Sequence, residues 1–206
     1  MKIAIIPAFN EGKTIKNVVK TTKKYVDKVI VVDDCSVDNT SDEATTDGVI
    51  VIKNEKNLGK SDSIKIGIDL AKRYSPNILI FLDGDGQHSP DDIPKLIKPI
   101  EERNVDVVYG IRKLSLKNIK SYVPGKIVDF LFGGRDVLCG FKAIRYDALK
   151  KLDLSKARGY LFELVLHKQI KLKKLKLECV PITAIGTTRI GWLKGIKLYF
   201  QYILDG

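Results

Sequence analysis

The stretch of the 206-residue chain richest in chemistry is Asp83-Gly84-Asp85-Gly86-Gln87. Two carboxylates one residue apart, with an amide two positions further on, supply the hard oxygen ligands that Mg²⁺ or Mn²⁺ takes, and such ions keep positions open for substrate phosphates. The glycines between them let the backbone turn tightly beside a ligand. A D-G-D-G run is in itself also a common solvated turn. A metal and diphosphate site is favoured by its place directly after the apolar run Ile78–Leu82, and by a second acidic pair, Asp33-Asp34, after the apolar run Val29–Val32. Polar residues follow two further runs: Pro7-Ala8-Phe9-Asn10-Glu11 and Asn57-Leu58-Gly59-Lys60. Ser36, Asp38 and Thr40 suit a capped turn into a short helix. An acidic pocket around a phosphorylated aspartate is the competing use of Asp33-Asp34. It calls for a chain of about half this length and leaves Asp85 and Gln87 without a role.

Residues so placed need a scaffold that brings strand ends together. Runs of strand length recur at Ile3–Ala8, Val29–Val32, Val49–Ile52, Ile78–Leu82 and Val105–Tyr109. Between them, helical spacing groups Ile15, Val18, Val19 and Thr22, then Ile64, Gly67, Ile68 and Ala71, then Ile93, Leu96, Ile97 and Ile100. Ser89-Pro90-Asp91-Asp92 reads as a helix start, with Ser89 as N-cap and proline in the first turn. Strands apolar throughout, alternating with helices, predict an α/β fold with a mainly parallel central sheet and helices on both faces. In such sheets ligands bind beyond the carboxyl ends of the strands, where all four polar loops fall. Residues 1–111 thus read as a doubly wound half. Beyond them the pattern predicts a strand at Gly140–Ile144, a helix around Leu161–Ile170, a strand at Leu175–Ile182 and a last helix at Leu193–Leu204. No linker or repeat separates the halves, so the reading is one domain, 1–206, with a functional boundary near Tyr109–Arg112.

The net charge of +11 divides unevenly. Residues 1–111 carry 16 basic and 18 acidic side chains, net −2, and residues 112–206 carry 20 and 7, net +13. That asymmetry points to an acidic site in one half and an anion-facing surface in the other. A nucleic-acid binder has only the total charge in its favour, since no recognisable binding module or regularly interleaved stacking aromatics accompany it; nucleic acid is not expected as a partner. Cys35, Cys139 and Cys179 form no CxxC or Cys/His cluster, which fits a reducing compartment without structural zinc. The N-terminal run, broken by Pro7, Asn10 and Glu11, does not read as a signal peptide, and no run approaches the ~18–20 apolar residues that span a bilayer. The expected location is the cytoplasm. A GxGxxG after the first strand, needed for a dinucleotide dehydrogenase, is absent, as is the glycine-rich, arginine-containing loop of sugar-nucleotide pyrophosphorylases.

The segments PAFNEGKTI, VIVVDDCSVDNT, NLGK and FLDGDGQHSPDDI, in that order and spacing, resemble the inverting glycosyltransferases of family 2, which have the GT-A fold, a Rossmann-like nucleotide-diphospho-sugar transferase fold. YGIR, DVLCGFKAIR, GYLFELVLH and VPIT with the later TTR resemble the branch that transfers mannose or glucose to dolichyl or other polyprenyl phosphates. The resemblance implies that Pro7, Phe9 and Glu11, with Asp33 or Asp34, hold the nucleobase and ribose, that Gly59 lets the chain pass close to the nucleotide, and that Asp83, Asp85 and Gln87 hold Mg²⁺ or Mn²⁺ on the diphosphate. It implies GDP-mannose or UDP-glucose as donor and a polyprenyl phosphate as acceptor, bound by Arg112, Lys126, Arg135, Glu163, Arg189 and Lys194. A phosphate nucleophile is anionic near neutral pH and needs cations and placement rather than a general base. A sugar hydroxyl acceptor, as in extension of a lipid-linked or surface saccharide, would need a carboxylate base, for which Asp136 is the candidate. Apolar residues among cations, at Tyr122–Phe132 and again at Trp192–Ile203, suit an interfacial segment on an anionic membrane, at the inner face.

Overall fold

A computed structural model describes residues 1–112 and 136–183. Lys126, Arg135, Arg189, Lys194, both interfacial segments and the expected last helix lie outside the described residues.

The sheet has seven strands: β1 (Lys2–Ala8), β2 (Lys28–Asp33), β3 (Val49–Lys53), β4 (Ile78–Phe81), β5 (Val107–Arg112), β6 (Lys142–Arg145) and β7 (Leu177–Ile182), in the spatial order β3-β2-β1-β4-β6-β5-β7. β1 to β4 pair in parallel, and β5 pairs in parallel with β7. β6 runs antiparallel to both of its neighbours, β4 and β5. The mainly parallel sheet is as the sequence predicts. Strand β5 makes no ladder with β4, and its partners come from later in the chain.

Alternation along each strand sends successive side chains to opposite faces. Ile3 and Ile5 of β1 join Ile64 and Ile68 of α3 (Lys60–Ala71) and Phe162 and Leu166 of α6 (Phe162–Leu172) in one core. Ala4 and Ile6 join Ile15 and Val19 of α1 (Ile15–Thr22) and Ile93 and Leu96 of α4 (Ile93–Glu102) in the other. Helices therefore cover both faces, which is why the central strands read as unbroken apolar runs. All four residues of each apolar stripe read from the sequence in α1, α3 and α4 are buried. Two short helices complete the order, α2 (Thr40–Ala44) and α5 (Tyr146–Leu149).

One boundary differs from expectation. Ser89 makes no capping bond; a 3₁₀ turn at Pro90–Asp92 intervenes, and α4 starts only at Ile93. The cause is local: the Asp92 carboxylate is committed to Thr183 N–H and to Lys95, which ties this turn to the end of β7.

Candidate active site

The chain reverses direction of travel across the sheet between β1 and β4, the switch point at which an open α/β sheet leaves a crevice. There the loops after β1, β2, β3 and β4 meet the end of β5 and the start of α6 around a cavity of about 320 Å³. Pro7, Phe9, Glu11, Asp34, Gly59, Asp83, Asp85, Gln87, Arg112 and Glu163 all line it. Ten residues singled out from sequence thus share one space.

The first two loops are laced together by side chains bonding backbone. Asn10 N–H donates to Ser36 Oγ at 2.8 Å, Glu11 N–H to Thr40 Oγ1 at 2.8 Å, and Val37 N–H to Asn10 Oδ1 at 3.0 Å. Asn10 and Cys35 adopt the left-handed conformation these turns require. The lacing leaves Phe9 exposed at 45% on the rim of the cavity. A large apolar ring so placed has a flat face to offer a planar ligand.

Asp33 and Asp34 divide their work. Asp33 is fully buried and accepts from Ser36 N–H and Ser41 Oγ, so it holds its own turn and does not line the cavity. Asp34 accepts from Leu58 N–H at 2.8 Å, Gly59 N–H at 2.7 Å and Asn54 Nδ2 at 2.9 Å. It thereby pins the third loop against the site. Gly59, with φ of 89°, crosses Gly159 so closely that a Cβ there would lie 3.2 Å from the Gly159 Cα. Ser61 N–H and Oγ both donate to Gly159 O at 2.9 Å, fastening Tyr160 to the rim.

At the end of β4 the two aspartates differ. Asp85 Oδ1 accepts from Gln87 N–H at 3.0 Å, and its other oxygen has no hydrogen-bond partner among the described residues. Asp83 Oδ1 lies 2.7 Å from Lys60 Nζ, and Lys60 Nζ lies 2.8 Å from Glu163 Oε1. Burial works against the Lys60 charge, but the two carboxylates outweigh it and raise its pKa above the ordinary lysine value. Burial would raise the Asp83 carboxyl; the Lys60 charge reverses that and holds it low. The other Asp83 oxygen packs on Gly140, where a Cβ would collide with it.

Arg112 reaches from the end of β5 to Asp136 in a two-pronged pair, with Nε 2.6 Å from Oδ2 and Nη2 on Oδ1. Burial would raise the Asp136 carboxyl, but the Arg112 hydrogen bonds and charge bring it below the usual carboxylate range. Asp136 does not line the cavity, and a carboxylate held that way is a poor general base. The buried Lys142 donates to the carbonyls of Val137 and Cys139 and lies 4.5 Å from the Tyr109 ring centroid, which props the 136–140 loop from below. Burial pushes the Cys139 thiol up to about 11, which leaves it unreactive at neutral pH. His88, packed on Phe141, is pushed down by burial towards its neutral form.

The sequence reading gave no role to Lys60, Tyr160 or Gly140. For Lys60 a signal existed: a cation in the first turn of a helix works against the helix dipole, and such local conflicts tend to mark function.

Glycosyl transferase family 2 matches residues 3–163. A UDP-N-acetylglucosamine–dolichyl-phosphate N-acetylglucosaminyltransferase of Methanococcus voltae is 34% identical over 97% of this chain and 94% of its own. A polyprenol monophosphomannose synthase of Mycolicibacterium smegmatis is 27% identical over 88% of this chain and 76% of its own. Among solved structures, glucosyl-3-phosphoglycerate synthase of Mycobacterium tuberculosis, in complex with Mn²⁺ and UDP-glucose, superposes with a TM-score of 0.77 at 20% identity, covering all of this chain and 78% of that one. The seven-stranded sheet is therefore that of the GT-A fold, and the chain belongs to glycosyl transferase family 2.

Proposed function

We propose that this glycosyltransferase moves a sugar, with inversion, from a nucleoside diphosphate sugar to the phosphate of a polyprenyl phosphate. The observation that carries the reading is the meeting, in one cavity, of Asp85 and Gln87 on the donor side with Arg112 and Glu163 on the other. The two relatives named for dolichyl-phosphate and polyprenol transfer support it. The first of them uses UDP-N-acetylglucosamine by name, which adds an N-acetylhexosamine to mannose and glucose as candidate sugars.

Phe9 and Pro7 face the nucleobase in this scheme, and Asp34 and Glu11 lie beside the ribose. Mg²⁺ or Mn²⁺ fits the oxygen donors lining the cavity: Asp85 has an open oxygen and Gln87 offers an amide. Mg²⁺ or Mn²⁺ held by Asp85 and Gln87, with Asp83 beside them, would offset the charge of the departing diphosphate. Arg112, oriented by Asp136, presents its guanidinium to the acceptor phosphate, and Lys126, Arg135, Arg189 and Lys194 complete that anion-binding side. The nucleophile arrives ionised, so an Asp136 committed to Arg112 is no handicap. A hydroxyl acceptor would need the base that Asp136 is not.

In this reading the chain is one domain with a donor half and an acceptor half, and the basic half rests on the cytoplasmic face of the membrane. No described helix is long and apolar enough to cross a membrane.

The test is transfer of radiolabel from UDP-N-acetylglucosamine, UDP-glucose and GDP-mannose into an organic-extractable product, with polyprenyl phosphate and Mg²⁺ or Mn²⁺. One donor is expected to label the lipid, and Asp85→Ala to lower the rate at least ~100-fold, the scale of losing a main electrostatic group. Label found only in water-soluble glycans overturns the acceptor; an unimpaired Asp85→Ala overturns the metal site.

A further inference from the structure

The loop that carries Asp85 and Gln87 runs from Asp83 to His88 and is tied down on either side. Leu82 N–H donates to Ile5 O at 3.3 Å, and Ser89 N–H donates to Thr183 O at 3.3 Å. Of the backbone groups between those points, Gly84 O is the one bonded to another element among the described residues, and its donor is Thr14 Oγ1 at 2.8 Å.

Thr14 stands at the N-cap of α1, where a threonine oxygen ordinarily accepts a backbone N–H from the first turn. It makes no such bond. A hydroxyl has one proton to give. Glu11 O lies at 3.2 Å and Glu11 Oε2 at 3.5 Å, so Gly84 O is the nearest acceptor. The side chain thus forgoes a cap on its own helix and holds a loop 70 positions away, a local conflict of the kind that tends to mark function.

Packing seats the same loop on the same residue. A Cβ at Gly86 would lie 3.4 Å from the Thr14 methyl carbon, and one at Gly84 would lie 3.1 Å from Ile15 Cδ1 and 3.3 Å from Ala8 Cβ. The two glycines flanking Asp85 therefore let the loop rest directly on the end of β1 and the start of α1. The consequence falls on Asp85. A peptide unit is planar, so a donor that fixes Gly84 O also fixes the nitrogen and Cα of Asp85. From that Cα the carboxylate accepts from Gln87 N–H with one oxygen and leaves the other open.

We propose, on the metal reading above, that Thr14 is a positioning residue of the divalent-cation site, its hydroxyl holding Gly84 O so that Asp85 and Gln87 are set to take the ion. Thr14 itself does not line the cavity and acts through the peptide between Gly84 and Asp85.

The experiment titrates Mn²⁺ into the protein with UDP and GDP in turn and no acceptor, reading free Mn²⁺ by electron paramagnetic resonance against nucleotide alone, so that binding is measured without turnover. Thr14→Val keeps the branched shape and removes the donor. It is expected to weaken Mn²⁺ binding about tenfold, the low end of what losing a group that orients a metal ligand costs. Thr14→Ala, a second variant without the hydroxyl, guards against misfolding of the first and is expected to match it. Thr14→Ser restores the donor and should bind Mn²⁺ nearly as well as the unaltered protein. Calorimetric affinity for the metal-free nucleotide should be the same in all three. Unchanged Mn²⁺ affinity in either hydroxyl-free variant, a loss in Thr14→Ser as large as theirs, or an equal loss of metal-free nucleotide binding overturns the inference alone. If the unaltered protein and Asp85→Ala bind Mn²⁺ alike, the metal reading falls and this inference with it.

Discussion

Asp136 shows how a single residue's environment decides its use. In sequence it is a lone acid in a basic region, open to the role of base; in the fold it is the counter-ion of Arg112. Its carboxyl is held below the ordinary value, so it binds fewer protons folded than unfolded at mildly acidic pH. The stability it contributes is complete above the unfolded value of about 3.8 and is lost as pH falls through the lower folded value. Asp136→Asn is therefore expected to lower stability near neutral pH, on the order of 3 kcal/mol for uncovering a largely buried partner. It should also flatten the loss of stability below about pH 4; urea titrations at several pH values measure both. Equal stability of the two proteins at pH 7 would show that the pair contributes nothing. Much of this residue scale was legible in advance, because strand-end motifs place Pro7, Asp34 and Asp85 by local sequence alone. Lys60 was legible only as a cation set against its helix dipole, since its ion pairs depend on Glu163 arriving from far along the chain.

At the scale of elements, β1 to β4 and their helices could be read directly, because strands buried on both faces leave unbroken apolar runs and helices leave stripes. The place of β6 could not: its pairing with β4 is set by packing across more than sixty positions, and four residues, Lys142–Arg145, carry no mark of strand direction. Yet β6 shapes the site, since the loop leading into it sets Gly140 against Asp83. Gly140→Ala places a methyl group where the Asp83 carboxylate sits. It is expected to reduce transfer at least ~10-fold, the cost of an ångström-scale displacement of a positioned group, with thermal unfolding lowered by only a few degrees. Full activity in Gly140→Ala would mean that Asp83 has room to move without consequence.

For the whole molecule, charge is the property with the longest reach. The near-neutral half contributes Asp34, Asp83 and Asp85 to the cavity, and the half from residue 112 onward carries the +13. Binding to vesicles containing phosphatidylglycerol is expected at low salt. It should be largely lost at about 1 M salt, where screening extends only about 3 Å, and be weak on neutral phosphatidylcholine vesicles; sedimentation of the protein with each vesicle type measures this. Salt-insensitive binding to both would point to insertion of apolar side chains instead.

The interposed β6 also bears on how the chain is made. A ribosome delivers β5 before either of its neighbours exists, so Val107, Val108 and Tyr109, buried in the finished sheet, must wait without a ladder until β6 and β7 emerge. The last part of the sheet to close is therefore the one that carries Arg112, and Asp136, in the loop before β6, pairs with it only then. A nascent chain halted anywhere between residues 112 and 141 has its four parallel strands in hand but an open, sticky edge on β4.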